Sequence, residues 1–194
     1  MSAFYAPLRG IQTAIDQVVM LDTQMVELRR VMDATPQTYN KIMEDSINLA
    51  SVLGNRIEDV NKSLIGFSKQ GFNPDMLMDL TKTATVAANI SGLTTEESMS
   101  SITAGLKAFN IEASDSMSII DKMNEIDNNF AISTKDLSDG MMKTAATANT
   151  FGVSMEELLG MISAIGITTR ESGKIVGKIV ADIKLFLIDL ELLT

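Results

Sequence analysis

The residues best suited to chemistry in this chain are two pairs of adjacent acids, Glu96-Glu97 and Glu156-Glu157. Paired carboxylates can act as general acid and base, or they can bind a metal ion. Adjacent residues on a helix point in different directions, however, and each pair follows a Thr or Ser at a predicted helix start. Acids in a first turn interact favourably with the positive end of the helix dipole. We therefore interpret both pairs as capping residues.

Other motifs for catalysis or ligand binding are incomplete. Asp127-Asn128-Asn129 is similar to the start of a calcium loop, but the later ligands and the glycine of such a loop are missing. No glycine lies in a phosphate-binding Gly-x4-Gly-Lys-Ser/Thr sequence. The chain has no Cys and no His, which removes the commonest zinc ligands and the Ser-His and Cys-His catalytic pairs. We predict no catalytic, cofactor, metal or small-molecule site, and therefore no enzyme.

Charge and hydropathy narrow the class of protein further. The net charge of -9 argues against direct nucleic-acid binding, which depends on Lys and Arg to neutralise phosphates. No stretch approaches the roughly 18 uncharged apolar residues of a membrane span. The first residues lack a basic region followed by an apolar run, so we expect neither a membrane span nor a secretory signal.

Apolar residues at steps of three and four run through the chain and predict an all-α fold. We expect an array or bundle of about eight or nine amphipathic helices joined by short Gly or Asn turns. One pattern, Ala-x3-Gly-x3-Glu followed by an acid, occurs three times, and its second and third copies lie 60 residues apart. Such internal similarity is typical of helical arrays. Left-handed turns that end helices are predicted at Gly54, Gly71, Gly92 and Gly152.

Helix starts are marked by capping boxes, in which a Ser or Thr is followed three residues later by an acid. Each box is preceded by an aliphatic residue that can form a hydrophobic staple. The four boxes begin at Thr94, Ser133, Ser154 and Thr168. They predict that helices start at about residues 95, 134, 155 and 169.

The first predicted helix carries one apolar stripe, made of Leu8, Ile11, Ile15, Val18, Leu21, Met25, Leu28 and Met32. A helix that spans residues 8–32 is long for a packed bundle, where the mean helix length is about 11–12 residues. One interpretation is that the N-terminal half projects and pairs with another copy or another protein. The alternative is that the whole stripe packs on the rest of the chain.

Four stretches, within residues 50–71, 84–124, 133–158 and 165–173, resemble the conserved core of phage tail tape-measure proteins. This family is typified by lactococcal siphophages and their Gram-positive prophage relatives. These stretches include the steps Leu106-Lys107-Ala108-Phe109-Asn110 and Ile165-Gly166-Ile167. Asn110 stands where the family has Gly, and Asn also tolerates a left-handed turn. The resemblance covers about residues 10–180, and the sequence after Lys178 departs from it.

We combine the periodicity and the resemblance into a division of the chain. Residues 1–35 form the long amphipathic helix, residues 36–180 a compact helical core with internal similarity, and residues 181–194 an apolar tail. Full family members are much longer, so the chain is expected to be an excerpt or a truncated copy. Short capped helices favour a globular module over an extended helical structure whose length would set the length of the tail.

The resemblance implies a structural protein of the phage tail, present in the virion and, during assembly, in the host cytoplasm. Its implied roles are tail assembly, determination of tail length and genome delivery. Its implied partners are further copies, the tail tube, the tail tip and assembly chaperones. Two other classes stay open: a cytoplasmic helical-repeat adaptor that binds a partner protein without a phage role, and a cell-wall hydrolase that uses two carboxylates.

Overall fold

A computed structural model describes the backbone of residues 5–191 and the side chains of residues 15–183. Within this part of the chain there are nine α-helices, one 3-10 helix at Ala113–Asp115 and no β-strand. The all-α prediction is confirmed. The helices are α1 (Tyr5–Val31), α2 (Pro36–Leu53), α3 (Ile57–Lys69), α4 (Pro74–Ser91), α5 (Thr95–Phe109), α6 (Ser116–Asn129), α7 (Thr134–Thr150), α8 (Met155–Thr169) and α9 (Gly173–Glu191).

The chain divides into two compact units, Met1–Met78 and Asp79–Thr194. In the first unit, α1 and α2 both pack on α3. In the second unit, α7 contacts α5, α6, α8 and α9, and its contact with α9 is the most extensive. These units differ from the predicted segments 1–35, 36–180 and 181–194, because α1 packs on α3 and α9 continues through residue 181. As a division into independently folding domains, the sequence-based scheme stays a prediction.

The odd-numbered helices repeat along the sequence with a nearly constant period. From α3 onward they begin at Ile57, Thr95, Thr134 and Gly173, so successive starts lie 38, 39 and 39 residues apart. The fourth residue of each of these helices is fully buried: Val60, Ser98, Leu137 and Val176. A period of this size is typical of proteins built from stacked helix pairs.

Helices α7 and α9 run parallel and approach closely through glycines. The Gly173 amide donates to Asp136 Oδ1 over 2.9 Å. Four residues later on both helices, a Cβ added to Gly177 would lie 2.8 Å from the Gly140 carbonyl oxygen. Because the contacts advance in the same direction along both helices, α7 and α9 are parallel. A side chain at Gly173 is excluded, since its Cβ would lie 2.0 Å from the backbone oxygen of Asp136.

Helices α1 and α3 also run parallel. Asn61 Nδ2 donates to Gln24 Oε1 over 3.1 Å, and both side chains are buried. Further along each helix, Lys69 forms an ion pair with Glu27. In the second unit Lys135, in the first turn of α7, pairs with Glu97 in the first turn of α5. Pairing between helix starts indicates that α5 and α7 also point the same way.

Every turn glycine singled out in the sequence has a positive φ. The values are +69° at Gly54, +84° at Gly71, +66° at Gly92 and +69° at Gly152. No atom lies within 4 Å of a Cβ added at any of these four positions. These positions therefore favour glycine because of its backbone freedom, not because space is short.

Three of the predicted capping residues begin helices. The side-chain oxygens of Thr94, Ser133 and Ser154 accept hydrogen bonds from the third backbone N–H of α5, α7 and α8. Around Thr94 and Ser154 the capping box is reciprocal, with Glu97 and Glu157 accepting from the cap backbone. A fourth cap, Thr35 before Pro36, was not predicted from the sequence.

The prediction that Thr168 caps a helix is wrong. Helix α8 continues through Thr169, and the Thr168 hydroxyl donates to the Ala164 carbonyl oxygen over 2.7 Å. The helix ends at Arg170, a non-glycine residue with a φ of +59°. The next helix begins only at Gly173, whose amide is bound by the Asp136 carboxylate of α7. A tertiary contact thus replaces the local cap that the sequence pattern suggested.

The 60-residue similarity differs from the structural period. It aligns the start of α5 with the start of α8, one odd-numbered and one even-numbered helix. Glycine turns and capping boxes are local signals that suit the start of any helix. For that reason they can match between helices that occupy different places in the array.

Candidate interaction surface

The predicted stripe on α1 lies in two different environments. Towards the C-terminal end Leu28 and Met32 are buried, and Leu21 and Met25 are half-buried. Nearer the start of the helix, Ile15 is 51% exposed and Val18 66% exposed. The side chains of Leu8 and Ile11 lie outside the described residues.

The C-terminal half of α1 is fixed by polar contacts as well as by packing. Gln24 Nε2 donates to the Glu58 carbonyl oxygen over 3.1 Å, in addition to the bond that Gln24 receives from α3. The Tyr39 hydroxyl donates to the Met32 carbonyl oxygen, and the Arg29 guanidinium lies 5.5 Å from the Tyr39 ring centroid. Buried hydrogen bonds of this kind would leave unpaired groups if α1 moved away.

A second apolar face of α1 was not recognised from the sequence. Val19 is 59% exposed and Val26 40% exposed. Val19 lies four residues after Ile15, and Val26 lies seven residues after Val19. This spacing places the three side chains on one side of the helix, away from Leu28. Alongside α1, a groove of about 400 Å³ is lined by Asp16, Gln17, Met20, Leu21, Arg56, Ile57 and Glu58.

Helix α9 carries a comparable face in the second unit. Ile175 and Ile183 are 47% and 48% exposed, and Ile179 between them is half-buried. The three residues follow each other at steps of four and lie on one side of the helix. Val176 and Val180 are buried on the side that packs on the rest of the unit. The apolar composition of this helix was evident from the sequence, but which of its sides is exposed was not.

The acid pair at α5 has a structural role in the fold. Glu97 closes the capping box with Thr94 and forms an ion pair with Lys135. The hydrogen bond from Lys135, followed by that from the Thr94 backbone, lowers the pKa of Glu97 to about 2. A carboxylate held so firmly in its charged form is unsuited to transferring protons near neutral pH.

The second acid pair, Glu156-Glu157, also has a structural role. Glu157 caps α8 through Ser154, and Glu156 Oε1 lies 2.6 Å from Lys122 Nζ. The hydrogen bond from Lys122 lowers the pKa of Glu156. In the first unit, the hydrogen bond from Lys62 likewise lowers the pKa of Glu58.

The sequence that resembled a calcium loop binds the next helix. Asp127 Oδ2 accepts from the Thr134 backbone N–H over 2.8 Å and from the Thr134 hydroxyl over 2.9 Å. It therefore links the end of α6 to the first residue of α7. Among the residues that the structure describes, no three acids come close enough together to hold a metal ion.

Within residues 5–191, no helix combines the length and the continuous apolar character needed to cross a bilayer.

A family model described as phage-related minor tail protein matches residues 44–181. This range extends from the middle of α2 into α9 and does not include α1.

One relative of known name is also a phage protein. The tape measure protein of Pneumococcus phage Dp-1 is 22% identical over 176 residues, which cover 89% of this chain and 15% of that protein. The chain therefore spans only about 15% of the length of this relative. No solved structure matches the chain significantly.

Proposed function

The chain belongs to the phage-related minor tail protein family, and on that basis we propose that it is a structural module of a phage tail tape-measure protein. Its roles would be tail assembly, determination of tail length and, by family resemblance, genome delivery. The observation that carries the proposal is the family match over residues 44–181. The similarity to a protein named as a tape measure protein supports the same assignment.

Within such a protein the chain would act as a compact module and not as the extended ruler. A continuous helix adds about 1.5 Å of length per residue, whereas these helices are interrupted by left-handed turns at Gly54, Gly71, Gly92 and Gly152. The proposed location is the tail of the virion, and the host cytoplasm during assembly.

The proposed partners are further copies of the protein, the tail tube, the tail tip and assembly chaperones. The N-terminal half of the α1 stripe is one candidate contact, because Ile15 and Val18 are exposed. No cofactor, small-molecule ligand, direct nucleic-acid contact or catalytic activity is part of the proposal.

The proposal can be tested by deleting the codons for residues 44–181 in frame from the genome that encodes the chain. We expect capsids without functional tails in electron micrographs, and restoration of tails by the full-length gene supplied in trans. A matched control carries Val52→Glu, a substitution at a 73% exposed position of α2. Normal, infectious tails in the deletion strain would contradict the proposed role.

The non-enzymatic part of the proposal has its own test. The purified chain is incubated with peptidoglycan, and soluble fragments are measured by mass spectrometry. We expect none above a heat-inactivated control. Release of fragments that is lost in Glu96→Gln or Glu156→Gln would point to a two-carboxylate hydrolase instead.

A further inference from the structure

A polar groove of about 330 Å³ in the second unit is lined by three parallel helices, α5, α7 and α9. Its charged and hydroxyl-bearing lining residues are Glu96, Glu97 and Ser100 on α5, Asp139 and Lys143 on α7, and Lys174 on α9. We propose that Asp139, at the base of this groove, binds the guanidinium group of an arginine from a partner protein. The contact lies wholly within the second unit and does not depend on the proposed role in the tail.

Asp139 is a buried carboxylate without a partner in the described fold. The residue is only 9% exposed, and no group of the described residues forms a hydrogen bond or an ion pair with its carboxylate. Lys135 interacts with it through space. The pKa of Lys135 is raised chiefly by its hydrogen bond to Glu97, and the charge on Asp139 adds to this effect. Burying a carboxylate without a hydrogen bond destabilises a fold, so a ligand explains this residue better than packing does.

The helical repeat does not require an acid at this position. One period of 39 residues earlier, the equivalent residue of α5 is Ser100, and one period later the equivalent residue of α9 is Lys178. Both are exposed, whereas Asp139 is buried because α7 has α5 and α9 as neighbours. Residues that fill such a space are usually apolar, as Leu137 and Met141 are on the same helix. The carboxylate is therefore a feature of the groove and not of the repeat.

The acids of the groove favour an organic cation as the ligand. Glu97 already accepts from Lys135 and from the Thr94 backbone, while Glu96 adds an exposed negative charge at the rim. The described acids do not converge as three ligands on one point, which disfavours a metal ion. A guanidinium donates through a planar fork that fits both oxygens of one carboxylate, and it is more weakly hydrated than an ammonium. Arginine is therefore the cation that suits a carboxylate as buried as Asp139.

Two lysines define the partner further. Lys143 and Lys174 are exposed and line the groove together with Asp139, so they would repel a cation that arrives alone. An acidic residue close to the incoming arginine would pair with these lysines. The volume of the groove is near the lower limit of the roughly 300–1,000 Å³ found for ligand pockets, which suits the side chains of a short peptide segment. The expected partner is thus an exposed segment that carries Arg with Asp or Glu nearby.

The test is an NMR titration of the isotope-labelled full chain with a blocked peptide of sequence Gly-Arg-Gly-Glu-Gly. We expect saturable shifts of the backbone signals of Ser100, Asp139 and Lys143, with a dissociation constant in the millimolar range because the peptide is small and flexible. A second peptide has citrulline in place of arginine, which keeps the shape of the side chain and removes its charge. It should bind at least about tenfold more weakly.

Asp139→Asn keeps the size of the side chain and removes the carboxylate charge. It should weaken binding of the arginine peptide at least about tenfold. It should also raise the midpoint of urea unfolding, because the wild-type fold buries a charge without a partner. Asp121→Asn, at an exposed position of α6, makes the same charge change and is the matched control. Binding and the unfolding midpoint should both stay at their wild-type values in this control.

The acidic residue of the peptide is tested separately. Replacing its Glu by Gln should weaken binding to the wild type. The loss should disappear in a chain that carries both Lys143→Gln and Lys174→Gln, because these lysines are the expected partners of the acid. A loss of the same size in the double variant would overturn the requirement for an acid beside the arginine.

Three results would overturn the inference. The first is the absence of saturable shifts up to about 50 mM arginine peptide, where a site with a dissociation constant of roughly 1 mM would be filled. The second is binding that neither citrulline in the peptide nor Asp139→Asn weakens. The third is a lower unfolding midpoint for Asp139→Asn, which would show that the carboxylate stabilises the fold. None of these results would affect the deletion test of the tail role.

Discussion

At the scale of single residues, Glu97 joins two parts of the second unit. It accepts from the cap backbone of its own helix and pairs with Lys135 of α7. Its pKa in the fold is about 2, against 4.5 for an unperturbed glutamate. Because the folded-state pKa is the lower one, the charged carboxylate stabilises the fold above about pH 4.5, and this contribution is lost as the pH falls towards 2.

This linkage gives a pH prediction. Between about pH 4.5 and 2 the free energy of unfolding of Glu97→Gln should fall less steeply than that of the wild type. The difference at neutral pH should be no more than about 1 kcal/mol, because the pair is partly exposed and screened by solvent. Urea unfolding at several pH values measures both quantities. Glu96→Gln, at the neighbouring exposed position, is the control, and an identical slope for all three proteins would show that the contact is unimportant.

The turn at Gly152 provides a second prediction at this scale. Gly152→Val should lower the free energy of unfolding by more than about 1 kcal/mol, because a β-branched residue resists a positive φ. No atom lies within 4 Å of a Cβ added at Gly152, so the cost is expected from the backbone conformation. Gly152→Asn should cost less, since Asn110 adopts the same conformation at the end of α5. Equal melting temperatures for the two variants would contradict this explanation.

Residue-level features were predictable where they depend on near neighbours in the sequence. Thr94 and Ser154 could be assigned as caps because the acid that completes each box lies three residues later. Thr168 belongs to an identical pattern, yet its helix start is replaced by the bond between Gly173 and Asp136. The left-handed backbone conformation of Arg170 could not be predicted either, because an arginine does not indicate a positive φ.

At the scale of elements, the two halves of α1 should respond differently to the same kind of substitution. Leu28 is 2% exposed, so Leu28→Ala should cost about 2–5 kcal/mol in stability. Val18 is 66% exposed, so Val18→Ala should change stability by no more than about 0.5 kcal/mol. Thermal or chemical unfolding measures both, and similar losses would show that the whole stripe is core.

The predicted helix starts at about residues 95, 134 and 155 are confirmed, because the capping residues and the apolar periodicity agree there. The exception is the region between α8 and α9, where the predicted start at about 169 is replaced by one helix to Thr169 and a new start at Gly173. The exposed faces of α1 and α9 could not be found from periodicity, because an apolar stripe predicts amphipathicity without saying which partner covers it.

At the scale of the whole molecule, the sequence predicts that no ligand stabilises the fold. Thermal shift measurements with Mg²⁺, Ca²⁺, Zn²⁺, ATP and GTP should show no saturable increase in melting temperature. A ligand present at 100 times its dissociation constant would stabilise the native state by about 2.7 kcal/mol, which is readily detected. Such an increase would contradict the prediction, and loss of the increase on substituting nearby acids would locate the site.

The all-α class and the approximate number of helices followed from the sequence, but the arrangement of the helices did not. The strongest internal similarity, at 60 residues, relates α5 to α8, whereas α5, α7 and α9 are the equivalent parallel helices. Their equivalence depends on buried positions such as Ser98, Leu137 and Val176, which share burial but not residue type. A comparison of residue identities therefore misses it.

The central place of α7 has a mechanical consequence. The main contacts of α9 are with α7 and α8, and those of α5 are with α7 and α6. Tension applied at the end of α9 would first detach that helix, while the contact between α5 and α7 stays intact. The second unit would then yield in successive steps and not in one cooperative rupture, an order of unravelling suited to a chain that is drawn out from one end.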